Sequence, residues 1–148
     1  MKELRTWLAA AVVAAAAVGC GGPTIVRFQG IEPLNLNEKG ETTPVEVRIF
    51  LLKDGGSFNK AQIEQLWGPK YKEVLGGDVV GEPRQVTIYA GAEKKVDLGP
   101  IPAEVRFVGI MGMFGKREEK TERHFAVAKE DADDFLFELT GYTLRKKK

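Results

Sequence analysis

The stretch from Val45 to Leu52, VEVRIFLL, does most to limit the fold. Val45, Val47, Ile49 and Leu51 fall on one side of an extended chain, while Glu46 and Arg48 fall on the other. Apolar residues at period two make a strand with one buried face, and a helix with that pattern would bury its charges. The same grammar recurs. Thr24 to Ile31 places Val26 and Phe28 opposite Arg27 and Gln29. Further short runs follow at RQVTIYA (84–90), KKVDL (94–98), HFAVA (124–128) and DFLFELTGYTL (134–144). The last of these puts Phe135, Phe137 and Leu139 on one side. Residues 103–114, AEVRFVGIMGMF, are apolar on both faces beyond Arg106, as a central strand requires. Seven or eight short strands at this spacing predict an all-β antiparallel sandwich. With 148 residues and a single cysteine, Cys20, the sandwich is one domain, and no disulfide within the chain holds it together.

One segment breaks the β pattern. In SFNKAQIEQLWGP, Asn59 is positioned to cap a helix. Gln62 stands three residues on, Phe58 and Ile63 occupy staple positions, and Gly68-Pro69 ends the element. Tyr71, Val74 and Leu75 then repeat the helical spacing before Gly76. The expectation is a two-piece helical insert over about residues 57–76, laid across the sandwich with Ile63, Leu66 and Trp67 on its apolar face.

The start of the chain follows different rules. Lys2 and Arg5 precede twelve uninterrupted apolar residues, Trp7 to Val18. A spanning helix needs about 20, so this run has the length of the hydrophobic part of an export leader, here residues 1–19. Ala17-Val18-Gly19-Cys20 resembles the bacterial lipobox, in which the thiol is lipidated and cleavage leaves it as the first mature residue. A free thiol behind an ordinary leader is the other reading. Only residues 20–23 then form the tether before the domain at 24–148. Removing the leader takes Lys2, Arg5 and Glu3 from totals of 22 basic and 21 acidic residues, leaving 20 of each sign. This balance lacks the basic stripe of a nucleic-acid binder. The tail Arg145-Lys146-Lys147-Lys148 is read as a solvated terminus, with contact to anionic lipid as the alternative.

Catalytic parts are sparse. The lone histidine, His124, lies in a strand with no nucleophile or carboxylate at a recognised spacing and is read as a rim residue. Asp131, Asp133 and Asp134 lack the spacing of a calcium loop and read as a solvated turn. The glycines of GIMGMFG do not lead from a strand into a helix, so they form no phosphate loop. Met111 and Met113 share a face with Phe107 and read as core. No catalytic residue, no metal and no cofactor other than a covalent lipid on Cys20 is expected. The feature left over is the polar loop NLNEKGETTP, residues 35–44, longer than a connection between consecutive strands requires.

Taken in order, these pieces resemble the TssJ family, the outer-membrane lipoproteins of bacterial type VI secretion systems. The resemblance is carried by the lipobox at Cys20, PVEVRIFLLKD, SFNKAQIEQLW followed by LGGDVV, RFVGIMGMF before a charged hairpin and RHFAVA, and the closing FELTGYTL. It implies a transthyretin-like sandwich with a helical insert, anchored in the outer membrane by fatty acyl chains such as palmitate and facing the periplasm. It also implies a structural rather than catalytic role. In the family, the loop between the first two strands grips the periplasmic C-terminal domain of the inner-membrane protein TssM. Carried over, that loop is Asn35, Leu36, Asn37, Glu38, Lys39, Gly40, Glu41, Thr42 and Thr43, with Leu36 its one apolar side chain. A second reading from the residues is a lipid-anchored module binding peptidoglycan or a small apolar ligand between sheet and insert near Trp67 and Tyr71. An envelope hydrolase is the third and weakest.

Overall fold

A computed structural model describes residues 22–118 and 121–148. Leader residues 1–19, Cys20 and Gly21 lie outside the described residues, as do Glu119 and Lys120 of the charged hairpin. Eight strands form two four-stranded sheets. Sheet A has the order β4 (Glu93–Asp97), β1 (Ile25–Leu34), β7 (Leu136–Gly141), β8 (Thr143–Lys147). Sheet B has the order β3 (Val79–Ile88), β2 (Val45–Leu52), β5 (Phe107–Met113), β6 (His124–Ala128). The sandwich expected from alternation is present, with one departure: β1 and β7 run parallel, although every other pair of strands is antiparallel. The cause is the connection at 129–135, which leaves β6 at the bottom of sheet B. It crosses to the bottom of sheet A, so β7 climbs beside β1 in the same direction.

The inter-sheet core is built from the predicted faces. Val26, Phe28, Val45, Val47, Ile110, Phe137, Leu139 and Leu144 are fully buried in it. Phe135, expected beside Phe137, precedes the strand and is only half-buried. Leu51 shares the inward face of β2 and is also half-buried, beyond a register shift against β3. Two strand boundaries differ from expectation. β1 continues to Leu34, and residues 103–106 form a turn instead of strand, because Pro100 and Pro102 interrupt the ladder and Val105 N–H donates to the Pro102 carbonyl.

A second core explains why β2 and β5 are apolar on both faces. The outward side chains Phe50, Leu52 and Met111 lie under the helical insert, which buries Phe58, Ile63, Leu66, Tyr71 and Leu75 against them. Phe107 and Met113 flank Met111 on this face and are half-buried. The insert is three helices rather than two pieces: α1 (Gly56–Lys60), α2 (Ile63–Trp67) and α3 (Tyr71–Leu75). Asn59 therefore caps nothing and lies inside α1. Gln62 occupies the cap of α2, in a reciprocal box with Gln65. Asn59 turns to the sheet, where its Oδ1 accepts from Ala126 N–H on edge strand β6 at 2.9 Å. That contact covers an edge group that would otherwise be open to pairing. Gly109 allows the close approach of α1, since a Cβ there would sit 2.9 Å from both Leu52 Cδ1 and the Phe58 ring.

His124 is half-buried at the start of edge strand β6. Its ring packs edge-on to Phe58 at 5.7 Å, and its Nε2 is buried with no hydrogen-bond partner among the described residues. Burial holds its pKa below the ordinary 6.5, with the backbone at Ala61 pulling the other way. The unfolded chain therefore takes up this proton at a higher pH than the folded chain does. Stability is lost as pH falls through the histidine range toward the depressed folded value. Between about pH 7.5 and about pH 5, the parent should lose more melting temperature than His124→Gln. Equal losses would mean that His124 titrates freely.

Candidate functional site at the loop pole

The direction of β1 defines the molecule's two poles. The chain enters at Thr24, whose carbonyl accepts from Leu98 N–H, so the tether sits beside the 98–106 connection. The strand then rises through ten residues to Leu34, about 33 Å at strand pitch. The 35–44 loop crowns the far pole.

Two anchors build this loop. At its base, Asn35 takes a left-handed φ of 46°, tolerable for asparagine, and is only 9% exposed. Its backbone N–H donates to the Gly141 carbonyl at 2.8 Å. Its Nδ2 donates to Thr43 Oγ1 at 2.9 Å and the Pro44 carbonyl at 3.1 Å, and its Oδ1 accepts from Gly115 N–H at 2.7 Å. Thr43 Oγ1 in turn donates to the Asn35 carbonyl at 2.5 Å. One buried asparagine, through its backbone and its side chain, thus ties together the end of β7, the chain after β5 and both ends of the loop.

The tip is a second closed unit. Asn37 Oδ1 accepts from Lys39 N–H at 2.9 Å and Glu41 N–H at 3.0 Å, while its Nδ2 donates to Glu41 Oε2 at 2.9 Å. Asn37 N–H also donates to the Glu41 carbonyl, and Gly40, at φ 75°, donates back to the Asn37 carbonyl. An asparagine bonding its own following backbone is an ordinary way to fix a turn. Glu38, Lys39, Gly40, Glu41 and Thr42 are exposed, and Leu36 is half-buried with its carbonyl accepting from Tyr142 Oη at 2.9 Å.

Of the nine loop residues, the structure thus sets Asn35 and Thr43 as supports and Leu36 to Thr42 as the presented surface. Tyr89 was not singled out from sequence. It follows Ile88, which pairs with Val45 just after the loop, and it is 59% exposed at the same pole. Gly30 N–H and C=O hold that turn through Ala92 and Gly91. No local pattern announces Tyr89, Gly115 or Tyr142, because their neighbours are long-range ones.

Near Trp67 and Tyr71 the side chains join the second core. Tyr71 is buried, its ring 5.7 Å from Phe50, which lies 5.4 Å from Phe58. Burial, then the bond from Tyr71 Oη to Glu82 at 2.5 Å, raises the phenol's pKa, and the same carboxylate raises that of Lys72. Arg48 lies 4.1 Å over the Trp67 ring and donates to its carbonyl. The hollow nearby, about 520 Å³, is open to solvent on the outside of α2 and α3 and is lined by Glu64, Gln65, Lys70 and Glu73 among others. Among the described residues, no three His, Cys, Asp or Glu side chains gather as a metal site, and no helix is long and apolar enough to cross a membrane.

Comparison with known proteins agrees with this architecture. No curated protein matches the chain by sequence. A chain from a structure described as "Type VI membrane complex" is 25% identical over 85% of this chain and 98% of its own, with a TM-score of 0.74. A chain from the structure described as the TssM C-terminal domain from EAEC is 26% identical over 83% and 98%, at 0.71. The T6SS lipoprotein TssJ1 from Pseudomonas aeruginosa is 18% identical over 86% and 98%, at 0.67, and shows the shared fold. The family described as type VI secretion lipoprotein (VasD, EvfM, TssJ) matches residues 23–142, nearly the whole sandwich. This chain belongs to the type VI secretion lipoprotein family.

Proposed function

We propose that the protein is anchored to the outer membrane by acyl chains on Cys20 and faces the periplasm. There its Leu36–Thr42 surface captures the periplasmic C-terminal domain of a TssM partner. The observation that carries this reading is the loop itself. It is closed at tip and base by its own hydrogen bonds and stands at the pole opposite the tether. A loop already ordered before it meets its partner gives up little conformational entropy on binding. A partner tethered in the inner membrane meets it at high effective concentration. The solved structures described as a type VI membrane complex and as a TssM C-terminal domain support a TssM-type partner. The work is mechanical: two membranes are joined, and no bond is made or broken. Tyr71 packs against Phe50 in the second core, an arrangement that does not favour a ligand-binding module there.

Truncation of a central contact commonly weakens an interface by about 2 kcal/mol, or tenfold and more. The pair Leu36→Ala with Asn37→Ala removes the apolar side chain and unfastens the tip, while Asn35 keeps the base. It should bind purified TssM periplasmic domain at least about tenfold more weakly, with an unchanged melting temperature. Binding equal to the parent's would remove the loop assignment.

A further inference from the structure

We infer that the outer face of sheet A, at its tether end, lies against an anionic phospholipid surface and so sets the tilt of the domain; this rests on the Cys20 anchor proposed above. The register places four side chains in one row across the sheet. Lys95 of β4 lies opposite Arg27 of β1, Arg27 beside Leu136 of β7, and Leu136 opposite Lys147 of β8. Residues directly across from one another share a face, and this is the outer one, since Val26 and Phe28 on either side of Arg27 are buried. Three cations thus span roughly 14 Å, three inter-strand gaps. Lys147 stays 66% exposed, its nearest carboxylate Glu138 being 3.6 Å away and also bonded to Arg145. The C-terminal basic run is therefore an ordered edge strand and not the frayed tail expected. Lys95 and Arg27 face each other with like charge, an arrangement that costs stability until an anion sits between them.

Ile25, on the same face two residues below Arg27, is 36% exposed, one of two large apolar side chains left open among the described residues. It is five residues from Cys20, at most about 17 Å of chain. The pole itself has the opposite character. Exposed Glu104, Glu130, Asp131, Asp133 and Asp134 outnumber the basic Lys53, Arg106 and Lys129 there, so a domain standing upright would press an excess of carboxylates against anionic headgroups. Asp97 and Glu93 on β4 are the carboxylates at the rim of the proposed face. Laying sheet A down brings Arg27, Lys95, Lys147 and Ile25 to the headgroups and turns the acidic pole away.

The test uses the lipidated protein on vesicles of phosphatidylcholine, with and without phosphatidylglycerol, and follows amine acetylation lysine by lysine. Lys95 and Lys147 should react at least about threefold more slowly on the anionic vesicles. Molar salt should reverse that protection, and Lys39 and Lys60 should react equally on both. In Arg27→Gln with Lys95→Gln, the difference at Lys147 should vanish. Equal labelling of Lys95 and Lys147 on the two vesicles overturns the inference. So does equal protection by inorganic phosphate, which would mark a site for free anions. Flotation with neutral vesicles reports on the anchor alone, so a protein that floats without differential labelling refutes the tilt and leaves the anchor standing.

Discussion

Exported behind a leader without a lipobox and carrying Cys20→Ser, the protein is expected entirely in the soluble periplasmic fraction, whereas the parent sediments with the outer membrane. The effect should be all-or-none because anchoring is steeply non-linear in chain number. One acyl chain holds a protein reversibly, with a constant of about 10⁴ M⁻¹, whereas a second makes residence effectively permanent. Among the described residues no helix is long and apolar enough to cross a bilayer. The fold should be untouched, because the cysteine lies five residues before the start of the first strand. Retention of the serine variant in the outer membrane would show that the sandwich itself carries the attachment.

Phe58→Ala is expected to cost about 3–5 kcal/mol, the range for emptying a buried aromatic site. That is a large part of the roughly 5–15 kcal/mol that holds a domain of this size. Phe58 is fully buried. Its ring lies 5.4 Å from Phe50 and 5.7 Å from His124, over the space that Gly109 leaves open. Neighbours cannot close the hole cheaply: α1 is five residues long, and its Asn59 is already committed to β6. The melting temperature should fall by roughly 10–20 °C, with the insert detaching first. A fall of only a few degrees would show that the insert is held by α2 and α3 alone.

Phe50 and Asn59 also show how far the sequence could be read. Period two in 45–52 told which side of β2 faces the sandwich, and it did so because burial repeats locally. It could not say why Phe50 and Leu52 were apolar as well. That answer lies in helices whose docking depends on contacts between distant segments. Asn59 illustrates the same limit. Its type and its distance from Gln62 suit a helix cap, yet tertiary packing moved the cap to Gln62 and gave the asparagine to a strand edge. The parallel pairing of β1 with β7 was equally hidden, since alternation fixes faces and not direction.

The loop was legible as a surplus of polar residues, but its division of labour was not. Asn35 and Asn37 are the same residue type two positions apart. One is buried and bonded to Gly115, eighty residues away, while the other shapes the exposed tip. The lysine tail was misread for a related reason: charge composition suggests a free end, whereas backbone pairing with β7 makes it an edge strand that charged side chains protect.

The central claim is that the pole farthest from the anchor meets the inner-membrane partner. A photo-reactive amino acid at Glu38, exposed at the loop tip, and another at Glu104, exposed at the tether pole, test it in living cells with the assembled secretion system. A crosslink to the TssM periplasmic domain is expected from position 38 and none from position 104. Crosslinking to that domain from position 104 alone would contradict it.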